Sequence, residues 1–321
     1  MKIEKLENLK KVLESTVIND NFEVTFQGIK SEKITKDSFK KIDSHIFEDE
    51  IVFIDGGSNL IFDETDLINF LCYVGFAKFR KKDLIECCIF RFDITLKLVE
   101  SSENKVVYSV IVDVLENIKL SKKSYEIIEK ELINSIPKLI ECDSTDNPKK
   151  ISKIRRILEL KLTQILSNEN ICILDGSFEK ADKEESFLLE KIKNSIAISK
   201  KSKLLTDLGI GFERFFNQVK INTPWFVKIG RKDDYEIYAI KFTDLKNYVF
   251  RVDSKISHPE NIFGYLYDLS KDGLVYGYPY GLVIIDHLAR VSNEDASYYR
   301  NLIDIKYKLS SEIHEEFNDF Y

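Results

Sequence analysis

A mixed α/β fold, with early antiparallel strands and later crossover helices, is expected from three features of the chain. Aromatic and β-branched runs at 69–79 (NFLCYVGFAKF), 86–98 (ECCIFRFDITLKL) and 105–113 (KVVYSVIVD) have the composition of strands and follow one another closely. A strongly periodic helix comes next, with Ile151, Ile154, Leu158, Leu162 and Ile165 on one stripe. The helix leads into a second apolar strand, Ile171-Cys-Ile-Leu-Asp175. Strands first and helix–strand alternation afterwards predict a mixed sheet with flanking helices.

Each element follows from its local pattern. Leu6, Leu9, Val12 and Leu13 predict a helix over Lys5 to Val17, and a short second helix is expected over Thr35 to Ile42. An N-terminal helical segment of about 1–48 would then precede a core of about 49–321. Glu50-Ile-Val-Phe-Ile-Asp55 reads as a short strand, Asp55-Gly-Gly-Ser58 as a glycine-rich turn, and Leu60-Ile-Phe62 as a second strand. After the three aromatic strands a polar helix is expected at 122–135. A turn at Asp143-Ser-Thr-Asp-Asn-Pro148 leads to the periodic helix over 150–166, and Asn168-Glu-Asn170 turns the chain into strand 171–175. A helix at 184–193, a strand at 195–198 and a meander at 225–229, 235–242 and 247–253 follow. A helical pattern begins near Leu282. With five prolines and no Ser/Gly-rich tract there is no evident linker, so residues 1–321 read as one elaborated domain.

Composition sets limits on function. The chain carries 48 basic and 54 acidic side chains, a net charge of −6, with 44% hydrophobic and 32% charged residues. That is a globular composition, and its acid excess argues against coating nucleic acid by bulk electrostatics. A locally basic groove remains open. The five cysteines, at 72, 87, 88, 142 and 172, form no C-x-x-C pair, which disfavours a disulfide framework or zinc site and points to a reducing cytoplasm. The N-terminus lacks an apolar signal core, and the longest apolar run, Leu67 to Ala77, is about half a membrane span, so no membrane association is expected. The 22 Phe and 15 Tyr are expected mostly in the core, with Trp225 open between core and surface.

The chemistry concentrates in carboxylates. Phe53-Ile-Asp55-Gly-Gly-Ser58 and Ile173-Leu-Asp175-Gly-Ser177 each end an apolar strand in Asp-Gly. Such an end is either a plain turn or a place where the missing side chain lets a metal or phosphate approach a carboxylate. The order of these acids along the chain adds information. An Asp on the first strand, an acid on the helix after the antiparallel strands and an Asp on the next strand are the ribonuclease-H-like arrangement, whose carboxylates hold two divalent ions. The helical acid would be Glu159, at the border of the apolar stripe, with Glu169 and Glu116 as competitors. Oxygen ligands suit Mg²⁺ or Mn²⁺. Between Lys149 and Lys161 stand six basic residues and one acid, Glu159, and between Lys191 and Lys203 five basic residues and none. Basic stretches beside carboxylates suit a polyanion, although solvated helix faces have the same composition. Lys200, just after a short strand, is placed to touch a phosphate.

Together these residues resemble the NurA nuclease family. The resemblance rests on Phe53-Ile-Asp55-Gly-Gly-Ser58, the Arg155-Arg156-x-x-Glu159 helix, Ile173-Leu-Asp175-Gly-Ser177, Ile198-Ser-Lys200 and the Tyr278-Pro279 to His287 spacing. It implies a ribonuclease-H-like fold, a homodimer and Mn²⁺-dependent cutting of DNA as a 5′–3′ exonuclease and single-strand endonuclease. It also implies a role in DNA end processing with the hexameric translocase HerA. Carried over by position, Asp55, Glu159 and Asp175 are the metal-binding acids and His287 the C-terminal member. Lys200 and Tyr278 are supports, and Arg155 and Arg156 are substrate contacts. Asp286 stands before His287 where a small residue is expected, so either could be the ligand. The stretch 63–148 matches loosely. Two other readings stay open: a non-catalytic adaptor that docks on an ATPase ring, and a related enzyme acting on RNA.

Overall fold

The computed structural model describes residues 22–303 apart from 65, 103–104, 122, 143–146, 245–247, 272–274 and 276. The helix expected at Lys5 to Val17 lies outside the described residues. The strands are β1 (Lys30–Ser31), β2 (Lys40–Lys41), β3 (Glu50–Asp63), β4 (Leu67–Arg80), β5 (Asp83–Ser102), β6 (Lys105–Lys119), β7 (Leu139–Cys142), β8 (Ile171–Asp175), β9 (Ser195–Ser199), β10 (Trp225–Lys232), β11 (Tyr235–Lys241) and β12 (Phe250–Ser254). The helices are α1 (Glu126–Ser135), α2 (Asn147–Leu166), α3 (Lys183–Lys191), α4 (Phe212–Gln218), α5 (Glu260–Leu269) and α6 (Tyr280–Ala289), with a further helical stretch over 293–303. The class is the expected one: mixed α/β, mostly antiparallel, with flanking helices. No helix among the described residues is long and apolar enough to cross a membrane.

The chain forms two compact units assembled from separated segments. One holds the described residues up to Phe53, Lys78–Leu84 and Leu166–Val283; the other holds Ile54–Ala77, Ile85–Ile165 and the described residues from Ile284 onward.

In the first unit the strands run β1-β10-β11-β12-β9-β8, with β2 also on β10, and only β8 and β9 are parallel. The helix α3 makes their crossover, starting at Asp182, whose side chain accepts from Glu185 N at 3.0 Å. Cys172-Ile-Leu174 and Ile196-Ala-Ile198 are fully buried, the unbroken apolar runs that parallel strands covered on both faces require. The same unit holds an aromatic core of Phe26, Phe39, Phe212, Phe215, Phe216 and Trp225, with Phe39 and Trp225 edge to face at 4.9 Å. Trp225 is 1% exposed, which settles it as core.

The helix expected over Thr35 to Ile42 does not form, nor does any α-helix in 22–48. Lys36–Ser38 is a single 3-10 turn closed by Thr35 and Ser38, whose side chain accepts from Thr35 N at 3.0 Å. The backbone leaves this turn extended at Phe39 and pairs β2 with β10, Lys41 opposite Trp225. Burying Phe39 against Trp225 outweighs a helix too short to hold itself together.

In the second unit β5 and β6 make a long antiparallel ribbon, and β7 joins β6 through Val106 to Ser109. The apolar run that begins at Leu67 is β4, buried from Ile68 to Ala77. The helix α2 buries Ile154, Ile157, Leu158, Leu160 and Leu162, a wider face than its predicted stripe. The strand–turn–strand expected at 50–62 is corrected. β3 runs unbroken from Glu50 to Asp63 through both glycines, neither of which has a positive φ.

Candidate metal and phosphate site residues

Why β3 carries two glycines is explained by their neighbours. A Cβ on Gly56 would stand 2.8 Å from Glu159 Oε1, 3.0 Å from the Tyr73 carbonyl oxygen and 3.2 Å from Arg155 Cγ. A Cβ on Gly57 would overlap the carbonyl of Ala289 and crowd Arg290. The glycines therefore serve close approach, from the carboxylate of α2 on one residue and the end of α6 on the next. Asp55, immediately before them, is 8% exposed, and its Oδ1 accepts from Gly56 N at 2.7 Å. Within this unit the structure thus gathers Asp55, Glu159 and the last turn of α6 around three consecutive residues of one strand.

Glu159, expected at the border of the helix stripe, is 5% exposed. Arg155 Nε lies 3.4 Å from its Oε1 and Arg156 Nη1 3.9 Å from its Oε2. A carboxylate this buried needs cations to offset its desolvation, and both arginines predicted to grip substrate provide them. Neighbouring Cys72 reports the same field: burial first, then the Glu159 charge, pushes its thiol above the ordinary range. The competing acids stand elsewhere: Glu116 is exposed on β6 and Glu169 is exposed just after α2.

On α6, Asp286 pairs with Arg290 at 2.8 Å and His287 is exposed. One turn later Asn59 donates to Asn293 Oδ1 at 2.9 Å, fastening β3 to the chain beyond α6. Asn59 and Arg290 were not predicted. Asn59 carries a weak signal in hindsight, a polar residue inside an apolar strand; Arg290 carries none.

The first unit gathers the remaining predicted residues. β8 ends at Asp175, whose Oδ2 is 3.9 Å from Lys200 Nζ, and that ammonium sits 4.0 Å from the centroid of the Tyr278 ring. Register explains the meeting: Asp175 pairs with Ile198, two residues before Lys200. Tyr278 is 6% exposed, packs on Phe250 at 5.4 Å and follows Gly277, whose φ of 83° suits glycine. At the other Asp-Gly, Gly176 does turn: its φ is 125° and its N–H donates to the Ile198 carbonyl at 2.9 Å. The two similar motifs therefore work differently, close approach at Gly56 and a positive-φ bend at Gly176.

The carboxylate oxygens of Asp55 and Glu159 are hard donors of the kind that suit Mg²⁺ or Mn²⁺. Among the described residues, no three His, Cys, Asp or Glu side chains are grouped so that they could hold a metal ion.

No protein-family model matches the chain. No curated protein matches it either. Among solved structures, the NurA nuclease from Sulfolobus solfataricus is similar, with a TM-score of 0.53 and 15% identity over 98% of this chain and 94% of that one. Endonuclease V from Streptomyces avermitilis aligns at a TM-score of 0.32 and 10% identity, covering 89% of this chain and 90% of its own. The catalytic domain of human Endonuclease V aligns at 0.35 and 9%, covering 90% and 94%. At 15% identity the first likeness is one of fold.

Proposed function

We propose that this chain, which shares the fold of a NurA nuclease, is a divalent-metal-dependent deoxyribonuclease. The observation that carries the reading is Glu159, a buried carboxylate set in the space that Gly56 leaves open, directly after Asp55. Asp55 and Glu159, with Asp175 and with His287 or Asp286, are the residues that would hold Mn²⁺ or Mg²⁺, as two ions. Bound metal would supply an activated water and offset the charge that develops on a phosphodiester. The chain's own residues hold and orient the substrate. Lys200, kept in place by Asp175 and the Tyr278 ring, steadies the scissile phosphate. Arg155 and Arg156 exchange part of their contact with Glu159 for the DNA backbone. No side-chain nucleophile is needed.

In this reading the protein cuts as a 5′–3′ exonuclease and single-strand endonuclease. It works as a homodimer with a HerA-type hexameric translocase in DNA end processing and repair, inside the cytoplasm. The test is digestion of single-stranded DNA, 5′-recessed duplex and RNA with Mn²⁺, Mg²⁺ or EDTA. Cutting of DNA that EDTA stops and Asp55→Asn abolishes is the expected result. Cutting that persists in Asp55→Asn overturns the mechanism, a preference for RNA overturns the substrate, and co-elution with a translocase without any cutting favours the adaptor.

A further inference from the structure

The strand β12 carries an ion pair that the reading above does not use. In Phe250-Arg-Val-Asp-Ser254, Arg251 is 2% exposed and Asp253 fully buried. The pair is forked: Arg251 Nε donates to Asp253 Oδ1 at 2.8 Å and Nη2 to Oδ2 at 3.1 Å. The third guanidinium nitrogen, Nη1, donates to Glu179 Oε1 at 2.6 Å, and Asp253 Oδ2 also accepts from the backbone N–H of Phe178 at 2.9 Å. Both outward bonds therefore end on residues 178 and 179, the segment that leaves β8 just after Asp175.

Burying such a pair costs several kcal/mol of desolvation per ion, and apolar replacements of similar volume often leave a fold as stable or more so. Stability alone is thus a poor reason for an arginine and an aspartate in a strand buried along its whole length. The segment they hold begins at a bend: Gly176 sits at a φ of 125°, with its N–H donating to the Ile198 carbonyl at 2.9 Å. On the far side, Arg251 is the register partner of Ser199, one residue before Lys200. The pair thus spans from the turn after Asp175 to the strand end that presents Lys200.

We propose that Arg251 and Asp253 are positioning residues: they clamp the 176–179 turn and so fix the direction of the Asp175 carboxylate relative to Lys200. The inference rests on the nuclease reading for its consequence, and on the hydrogen bonds alone for the clamp.

The test compares wild type with Arg251→Lys, Asp253→Asn and the apolar pair Arg251→Met/Asp253→Leu. Thermal unfolding shows that each variant folds. Amide hydrogen exchange of residues 176–179 reads the clamp, and the Mn²⁺ concentration for half-maximal cutting reads its consequence. Exchange in this turn should rise at least tenfold in the apolar pair while the unfolding temperature holds or rises. The Mn²⁺ requirement should rise by about 10- to 100-fold, the cost typical of losing an outer partner of a metal ligand. Arg251→Lys, which keeps charge but not the fork, should fall between. Unchanged exchange in a folded apolar pair overturns the clamp, as does loosened exchange with an unchanged Mn²⁺ requirement for its effect on Asp175. If the apolar pair does not fold, the same two measurements on Asp253→Asn decide. If wild type cuts nothing, the nuclease reading fails, and the exchange data still decide the clamp.

Discussion

Gly56 and Gly57 are the residues on which the candidate site turns. Because the space for a Gly56 side chain is already filled by Glu159, Gly56→Ala should destabilise the protein by about 1–3 kcal/mol, the usual cost of overpacking. It should also displace Glu159, so cutting should fall more than stability explains; urea unfolding and nuclease assays on the same preparation separate the two. Gly57→Ala, which meets a backbone carbonyl that cannot swing aside, should cost more. Glu50 gives a prediction in pH. Its carboxylate is held below the ordinary glutamate value first by the hydrogen bond from Lys78, with Arg80 adding to it, at 3.2 and 2.5 Å. A depressed folded-state pKa contributes stability above the ordinary glutamate range and loses it as pH falls through that range toward the folded value. Glu50→Gln should therefore lower the urea midpoint at neutral pH, and the gap from wild type should close on the acid side. A gap independent of pH would contradict the assignment.

At the level of strands and helices, the aromatic core of the first unit carries a clear cost. Phe216 touches Phe26, Phe212, Phe215 and Trp225 within ring separations of 4.9 to 5.8 Å and is fully buried. Phe216→Ala should lose about 3–5 kcal/mol, measured by urea unfolding, the range for emptying a buried aromatic position. The periodic elements were legible beforehand because their signal is local. β4, β5, β6, α2, β8, α3, β9 and the β10–β12 meander each appear where alternation, an apolar run or a 3.6 period predicts them. The failures are equally physical. Thr35 to Ile42 has helix-compatible spacing but is too short to form without packing, and Phe39 finds its packing in Trp225. The helices α4 and α5 went unpredicted for different reasons. α4 has only seven residues, too few for its Phe212, Phe215 and Phe216 stripe to stand out, and α5 is buried on most faces, so no stripe marks it.

Across the chain as one molecule, charge decides how DNA could be held. A net charge of −6 gives no general attraction for a polyanion, so binding should depend on a few placed cations and on bound metal. Asp55→Asn, which should bind without cutting, provides the measurement. Adding Lys200→Gln to it should weaken DNA binding at every sequence and reduce the salt slope by about 1, as expected for one lost phosphate contact. An unchanged slope would remove Lys200 from the substrate-binding set.

The mixed α/β class and the run of strands were readable from residue order, because alternation and apolar runs are properties of a few neighbouring residues. Local pattern also picked out Asp55-Gly-Gly-Ser58 and Asp175-Gly-Ser177 as special. It could not say what their glycines do, since an Asp-Gly at a turn and an Asp-Gly under a carboxylate read alike. That difference is made by residues far along the chain: Glu159 and Ala289 against β3, and Ile198 beside Gly176. Packing brought them there. For the same reason the burial of Glu159 and the partners of Arg251 and Asp253 are announced by no spacing in the sequence.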